Sequence, residues 1–210
     1  MELQLLQCSN YEASEIGQEY FYGNGKRKSY KRAFPYLLQA AKAGDAHCQN
    51  LVGYCYELGL GVDKGPDLAA FWYKKGAANQ DVEALGNLAL LYEKGISVRR
   101  DHRKAFSLLK KAAELGDSWA QSNLAVAYLD GKGTAPNAKS GTMWLKKAAR
   151  KGDIKAQYNL GLAYKDGAFV KRNLNAARRW LGKAANGGHR RARKELKSLG
   201  GSEPHTIERR

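Results

Sequence analysis

Cysteine is scarce in this chain of 210 residues, with three in all. An odd count rules out a disulfide framework built from pairs, and Cys8, Cys48 and Cys55 have no metal-ligand spacing. Cys48 and Cys55 fall seven apart on one predicted helix. That places them about 10 Å apart along its axis, too far for a bridge. All three are expected to be reduced thiols in the core or at the surface. No apolar run approaches the roughly 18 to 20 residues that a membrane-spanning helix needs. The start of the chain, Met1 to Cys8, lacks the basic opening and the longer apolar stretch of a secretory signal. A cytoplasmic location is the expectation.

Acidic residues are also in short supply, 20 against 36 Lys plus Arg, which leaves a net charge of +16. The deficit is local. Residues 146–199 hold 16 basic and 3 acidic residues, while residues 1–145 hold 18 and 15. Like charge crowded in this way opposes compaction and serves solubility or an acidic partner. Signatures of catalysis are missing as well. Gly131-Lys132-Gly133-Thr134 and Gly23-Asn24-Gly25-Lys26 resemble phosphate loops, but neither has the lead of a Walker motif or a preceding strand, so both read as interhelical turns. His47, His102, His189 and His205 have no His, Cys or carboxylate at metal spacing, and no Ser or Cys stands in a nucleophile motif. These are expected to be surface or capping histidines. The chain reads as a binding protein without catalytic residues, metal or cofactor.

What the sequence does contain is a repeat. Asp45, Asp81, Asp117 and Asp153 lie 36 residues apart, and the same frame returns without its Asp at His189. Ahead of each stands a pair of small residues: Ala40-Ala41, Gly76-Ala77, Ala112-Ala113, Ala148-Ala149 and Ala184-Ala185. A period of this length marks a solenoid, in which each unit buries its apolar face against its neighbours. The expected organisation is an N-terminal cap segment 1–9, then units 10–45, 46–81, 82–117, 118–153 and 154–189, a cap helix 190–199 and a flexible tail 200–210.

Within the units, Ser9-Asn10-Tyr11-Glu12 has capping-box spacing and predicts a helix from Tyr11. Asp45 is the expected N-cap of the next unit. The later hairpins are predicted over 84–93 and 104–114, 120–129 and 142–150, and 156–165 and 174–186. Pro35 is expected in or near the first turn of its helix, since deeper inside it removes a hydrogen bond. Tyr20, Tyr56, Tyr92, Tyr128 and Tyr164 form one column, expected to pack in each hairpin and to offer a hydroxyl to a loop carbonyl. Gly23, Gly59, Gly95, Gly131 and Gly167, three residues further on, are expected to end the first helices in the left-handed conformation. Ala33, Ala69, Ala105, Gly141 and Ala177 let the helices approach. Asn87, Asn123 and Asn159 form another column, expected to bond the neighbouring loop.

The run Ala156-Gln157-Tyr158-Asn159-Leu160-Gly161-Leu162-Ala163-Tyr164, followed by Asp166-Gly167 and then Trp180-Leu181-Gly182-Lys183-Ala184-Ala185, resembles the Sel-one-like repeat, a tetratricopeptide relative. The resemblance implies an all-α fold, a right-handed α-solenoid of about five 36-residue helical hairpins plus a C-terminal capping helix. It also implies a scaffold or adaptor whose concave groove is lined by the first helix of each hairpin. The groove positions carry His47, Asn50, Tyr54 and Glu57; Glu83, Asn87, Leu90 and Glu93; Trp119, Asn123, Val126 and Leu129; Lys155, Tyr158, Asn159, Leu162 and Lys165; and Arg191 and Lys194. Trp119 is either an inter-repeat packing residue or an exposed anchor. An Asn ladder can clamp the backbone of an extended peptide while Lys155, Lys165 or Lys194 holds acidic groups. The expected partner is a peptide or folded protein, acidic in part, for example a toxin in an immunity or chaperone-like relationship. The alternative is nucleic acid or another anionic surface on the basic patch Arg178, Arg179, Lys183, Arg190, Arg193 and Lys197.

Overall fold

The computed structural model describes residues 8–200, so residues 1–7 of the expected cap segment 1–9, the tail beyond Gly200 and His205 lie outside the described residues. Among the described residues there are eleven helices and no strand. They run α1 (Asn10–Tyr22), α2 (Tyr30–Lys42), α3 (Ala46–Leu58), α4 (Pro66–Ala78), α5 (Val82–Lys94), α6 (His102–Glu114), α7 (Ser118–Asp130), α8 (Ala138–Arg150), α9 (Ile154–Asp166), α10 (Leu174–Asn186) and α11 (Arg190–Ser198). The chain divides into two compact units, Met1–Leu108 and Leu109–Arg210.

Uniform caps produce this uniform length. Asp45, Asp81, Asp117 and Asp153 each accept the backbone N–H three residues on, at 2.8 Å for Asp45 and 2.7 Å for Asp81 and Asp153. This satisfies an amide that the first helical turn leaves free. Ser9 opens α1 with the full capping box, and His189 opens α11 by accepting the Ala192 N–H on Nδ1 at 3.1 Å. The five glycines of the expected column close the first helices with φ between 71° and 83°. A second set of caps begins the second helices: Ser29, Gly65, Asp101, Asn137 and Asn173, again 36 apart.

Each second cap is anchored through its main chain. The N–H groups of Ser29, Gly65, Asp101, Asn137 and Asn173 donate to the carbonyls of Tyr20, Tyr56, Tyr92, Tyr128 and Tyr164, at 2.7–2.9 Å. The tyrosine column therefore ties the loop through its backbone carbonyls. Its rings do other work: Tyr20 and Tyr92 lie under Lys26 and Lys104 at 4.9 and 5.3 Å, and Tyr56 meets Phe34 edge-on at 5.4 Å.

In the first unit, α2 packs on α3 and α4 on α5 around Ala33, Tyr36, Leu37, Leu51, Val52 and Trp72, with Tyr73, Leu88 and Leu91 beyond. Gly53 lets α4 approach α3, for a Cβ there would stand 2.7 Å from the Tyr73 ring. Pro35 corrects an expectation. It sits inside α2, past the first turn, because Ser29 starts that helix and Ala33, Tyr36, Leu37, Ala40 and Ala41 hold it to the core throughout. The lost hydrogen bond falls opposite Lys31, an exposed residue whose carbonyl water can serve.

In the second unit, α8 packs on α9 and α10 on α11. Leu145, Ala148, Ala149, Ala156 and Leu160 form one buried cluster; Leu181, Ala184, Ala185, Ala192 and Leu196 form the next. Helix α11 buries only Ala192 and Leu196; Arg190, Arg191, Arg193, Lys194 and Lys197 are exposed, and Glu195 is half-buried. Buried glutamines stitch successive hairpins: Gln49, Gln121 and Gln157 each donate Nε2 to the carbonyl of Ala41, Ala113 or Ala149 at 3.0–3.2 Å.

Candidate functional site

In the first unit, the residues assigned to the first-helix face are largely held by one another. Asn50 is buried and uses both ends of its amide: Nδ2 donates to Glu83 at 2.8 Å, and Oδ1 accepts from Asn87 Nδ2 at 2.9 Å. His47 stands between Tyr22, whose hydroxyl is 3.1 Å from Nε2, and Asp81, 3.5 Å from Nδ1. That hydrogen bond to Asp81 raises the His47 pKa above its ordinary value, against the opposing effect of burial. Glu57 accepts from the Tyr73 hydroxyl at 2.6 Å, a phenol whose own pKa is raised first by burial. Tyr54 is exposed, and Leu90 and Glu93 are half-buried.

The asparagine column thus departs from its expected role. Asn87 bonds a side chain of the preceding hairpin, and Asn123 donates to the Trp119 carbonyl of its own helix at 2.8 Å. Neither reaches a loop. The reason is distance along the helix: these positions lie mid-helix, one turn from an accepting carbonyl or opposite the next first helix, and far from either end.

The second unit differs. Helix α7 is apolar on two sides: Ala120, Leu124, Ala125 and Ala127 are buried, while Trp119 and Val126 are half-exposed beside Asn123, and half-buried Leu129 lies against Gly141 of α8. An amphipathic helix with a single buried stripe would carry polar residues there. On α9, Tyr158 stacks on the His189 ring with centroids 4.2 Å apart, and Asn159 and Leu162 are half-buried. Lys155, Arg191 and Lys194 are exposed. Lys165 pairs with Glu195 at 2.6 Å, and this ion pair raises its pKa.

The basic patch is partly engaged. Arg178 donates from Nε and Nη2 to the Leu199 carbonyl at 3.1 and 2.8 Å, closing the end of α11, and the Lys183 ammonium lies 4.7 Å over the Trp180 ring. Arg179, Arg190, Arg193 and Lys197 are exposed. Cys48 and Cys55 are buried free thiols, pushed up to about 12 by burial. Among the described residues no three His, Cys, Asp or Glu side chains gather as a metal site, and no helix is long and apolar enough to cross a membrane.

Sequence reasoning passed over a cleft in the second unit, between α8 and the loop joining α9 to α10, where Phe169 and Met143 are exposed. The signal was present in the loop register. Position 169 aligns with Gly25, Gly61, Ser97 and Gly133 at intervals of 36.

Capped hairpins of equal length, joined by backbone-tied loops and stitched by glutamines, define a tetratricopeptide-like α-solenoid. Its sequence matches the Sel1 repeat at residues 13–45, 46–81, 82–117, 120–153 and 154–189, and the chain belongs to the Sel1 repeat family. Among solved structures, it is similar to c5321, a protective antigen present in uropathogenic Escherichia coli that displays an SLR fold. The two are 32% identical, with 93% of this chain and 43% of that chain covered and a TM-score of 0.83. It is also similar to a Sel1 repeat protein from Oxalobacter formigenes, 27% identical over 94% of this chain and 81% of that one, with a TM-score of 0.85. The chitin synthase regulator SKT5 of Saccharomyces cerevisiae is 41% identical over 61 residues, which is 29% of this chain and 9% of the yeast protein. The chain therefore spans under half the length of the uropathogenic antigen and a small part of the yeast regulator.

Proposed function

We propose that the protein is an interaction scaffold, which takes a peptide or a folded protein partner on its first-helix faces. Membership of a repeat family that mediates protein–protein interaction supports the class. The observation that carries the reading is α7. It keeps Trp119 and Val126 half-exposed beside Asn123, and large apolar side chains held partly in solvent by a rigid helix are what an interface uses as anchors. In the same unit Lys155, Arg191 and Lys194 are exposed cations, so the partner is acidic where it meets them.

The test is an affinity purification from native lysate with and without nuclease, at two salt concentrations, followed by affinity measurement on the captured protein. Trp119→Ala should weaken a protein partner by about 2 kcal/mol, roughly thirtyfold in Kd. Replacing Arg190, Arg191 and Arg193 with Glu should cost less. Binding that is lost on nuclease treatment, falls steeply with salt and ignores Trp119→Ala would mean a nucleic-acid ligand on the basic third instead.

A further inference from the structure

The second unit has a cleft of about 980 Å³ whose lining contains Lys139, Lys146, Lys171 and Arg172 and no carboxylate. It lies between α8 and the loop joining α9 to α10, with Tyr164 of α9 in its lining, and none of the proposed groove residues lines it. Met143 and Phe169 bring apolar surface into it, exposed by 54% and 57%, and Val170 adds a branched side chain. Arg172 is fixed at the wall by its Nε, which donates to the Lys165 carbonyl at 3.1 Å. Lys146 lies 6.0 Å over the Tyr164 ring.

Phe169 is the anomaly. Its φ is +62°, in the left-handed region that disfavours a bulky side chain, and the equivalent positions hold Gly25 and Gly61 at 74°, Ser97 at 55° and Gly133 at 74°. Packing does not explain the exception, because more than half of the phenylalanine is exposed. A strained residue that the core does not require marks a place where the surface is used.

We infer that this cleft is a binding site for a short acidic peptide segment of a partner protein, with one apolar side chain seated against Phe169 and Met143 and flanking carboxylates held by Lys139, Lys171 and Arg172. Charge complementarity names the acidic groups, since four cations line the cleft unopposed. Met143 and Val170 line the cleft together with Phe169, and aliphatic surface beside an aromatic suits an apolar side chain better than a flat nucleobase seeking an open stacking face.

A random dodecapeptide library displayed on phage, panned on the full chain, tests this. Enriched peptides should carry Asp or Glu around a Leu, Met or aromatic residue, and as synthetic peptides should bind in fluorescence anisotropy. Phe169→Gly restores the residue that three other loops use, so its melting temperature should stay level or rise. It should nevertheless weaken peptide binding at least tenfold, as should Lys171→Glu. No enrichment, enrichment of neutral or basic peptides, or equal binding by Phe169→Gly would overturn the inference. So would single-stranded oligodeoxynucleotide binding that competes with the peptides and depends on Phe169.

Discussion

Gln121 is fully buried, and while its Nε2 serves the Ala113 carbonyl, its Oε1 has no hydrogen-bond partner. The same glutamine two units earlier shows what is missing. There, Asn79 donates to Gln49 Oε1 at 3.0 Å, and the residue in register with Asn79 beside Gln121 is Lys151, whose ammonium goes to the Gly116 carbonyl. An unpaired buried acceptor costs about 1–3 kcal/mol. Lys151→Asn should therefore raise stability by about 1 kcal/mol in urea unfolding, and an unchanged or lower midpoint would show that the asparagine does not reach Gln121. His47 sets a pH dependence. Hydrogen bonding to Asp81 raises its folded-state pKa above 6.5, helped by the nearby Glu83 and Asp45. A raised histidine pKa stabilises the fold in full below the unfolded value and loses that contribution as pH rises through the folded one. The melting temperature should fall as pH climbs from 6.5 through that higher value, and His47→Gln should flatten the slope. At this scale the sequence was legible where a residue recurred in register: the capping aspartates and the helix-ending glycines stand where their columns put them. Asn87 was not, because the choice between a loop carbonyl and Asn50 rests on which first helix lies opposite.

Helices came out of the sequence with their order and pairing intact and most of their starts displaced, although α10 begins at Leu174 as expected. Helix α8 begins at Ala138, four residues ahead of the Thr142 suggested by apolar periodicity, because Asn137 caps it through the Ser140 N–H at 2.9 Å. Its first turn, Ala138-Lys139-Ser140-Gly141, carries little apolar periodicity, so only the second cap column reveals it. Pro35 misled in the same direction, for a local rule about proline gave way to five buried residues spread along α2, which starts at Tyr30. The close approach of α3 and α4 is a further property of elements, legible as small residues but without its strictness. Where a later unit has Ala125 against Leu145, Gly53 faces the rigid Tyr73 ring. Gly53→Ala should cost about 1–3 kcal/mol by overpacking, measured by chemical denaturation. Restoration of stability by adding Tyr73→Leu would show that the ring is the cause.

At the level of the whole molecule, 36 basic residues face 20 acidic ones, and the imbalance sits mostly in residues 146–199. Some of these cations have structural tasks, as Arg178 and Lys165 do, but many are exposed. Repulsion among them is screened over about 10 Å at 0.1 M salt. Thermal stability should rise by several degrees as sodium chloride is brought from low to physiological concentration, and a flat response in a thermal melt would mean that the charges are too well solvated to strain the fold. The 36-residue period made the architecture readable, because every unit repeats the same packing problem. The surfaces for partners were less so, since they consist of what each unit does differently: Trp119 on one face, Phe169 in one loop.

The bond from each second cap to its tyrosine carbonyl carries a last consequence. Each interhelical loop is clasped at both ends by main-chain groups, at the same two places in every repeat. The loop is in effect an interchangeable cartridge in a standard socket. Exchanging residues 167–173 with 131–137 should move an aromatic from one part of the molecule to another while leaving the two helices of each hairpin untouched, so new specificity can be acquired by substitution within a seven-residue insert.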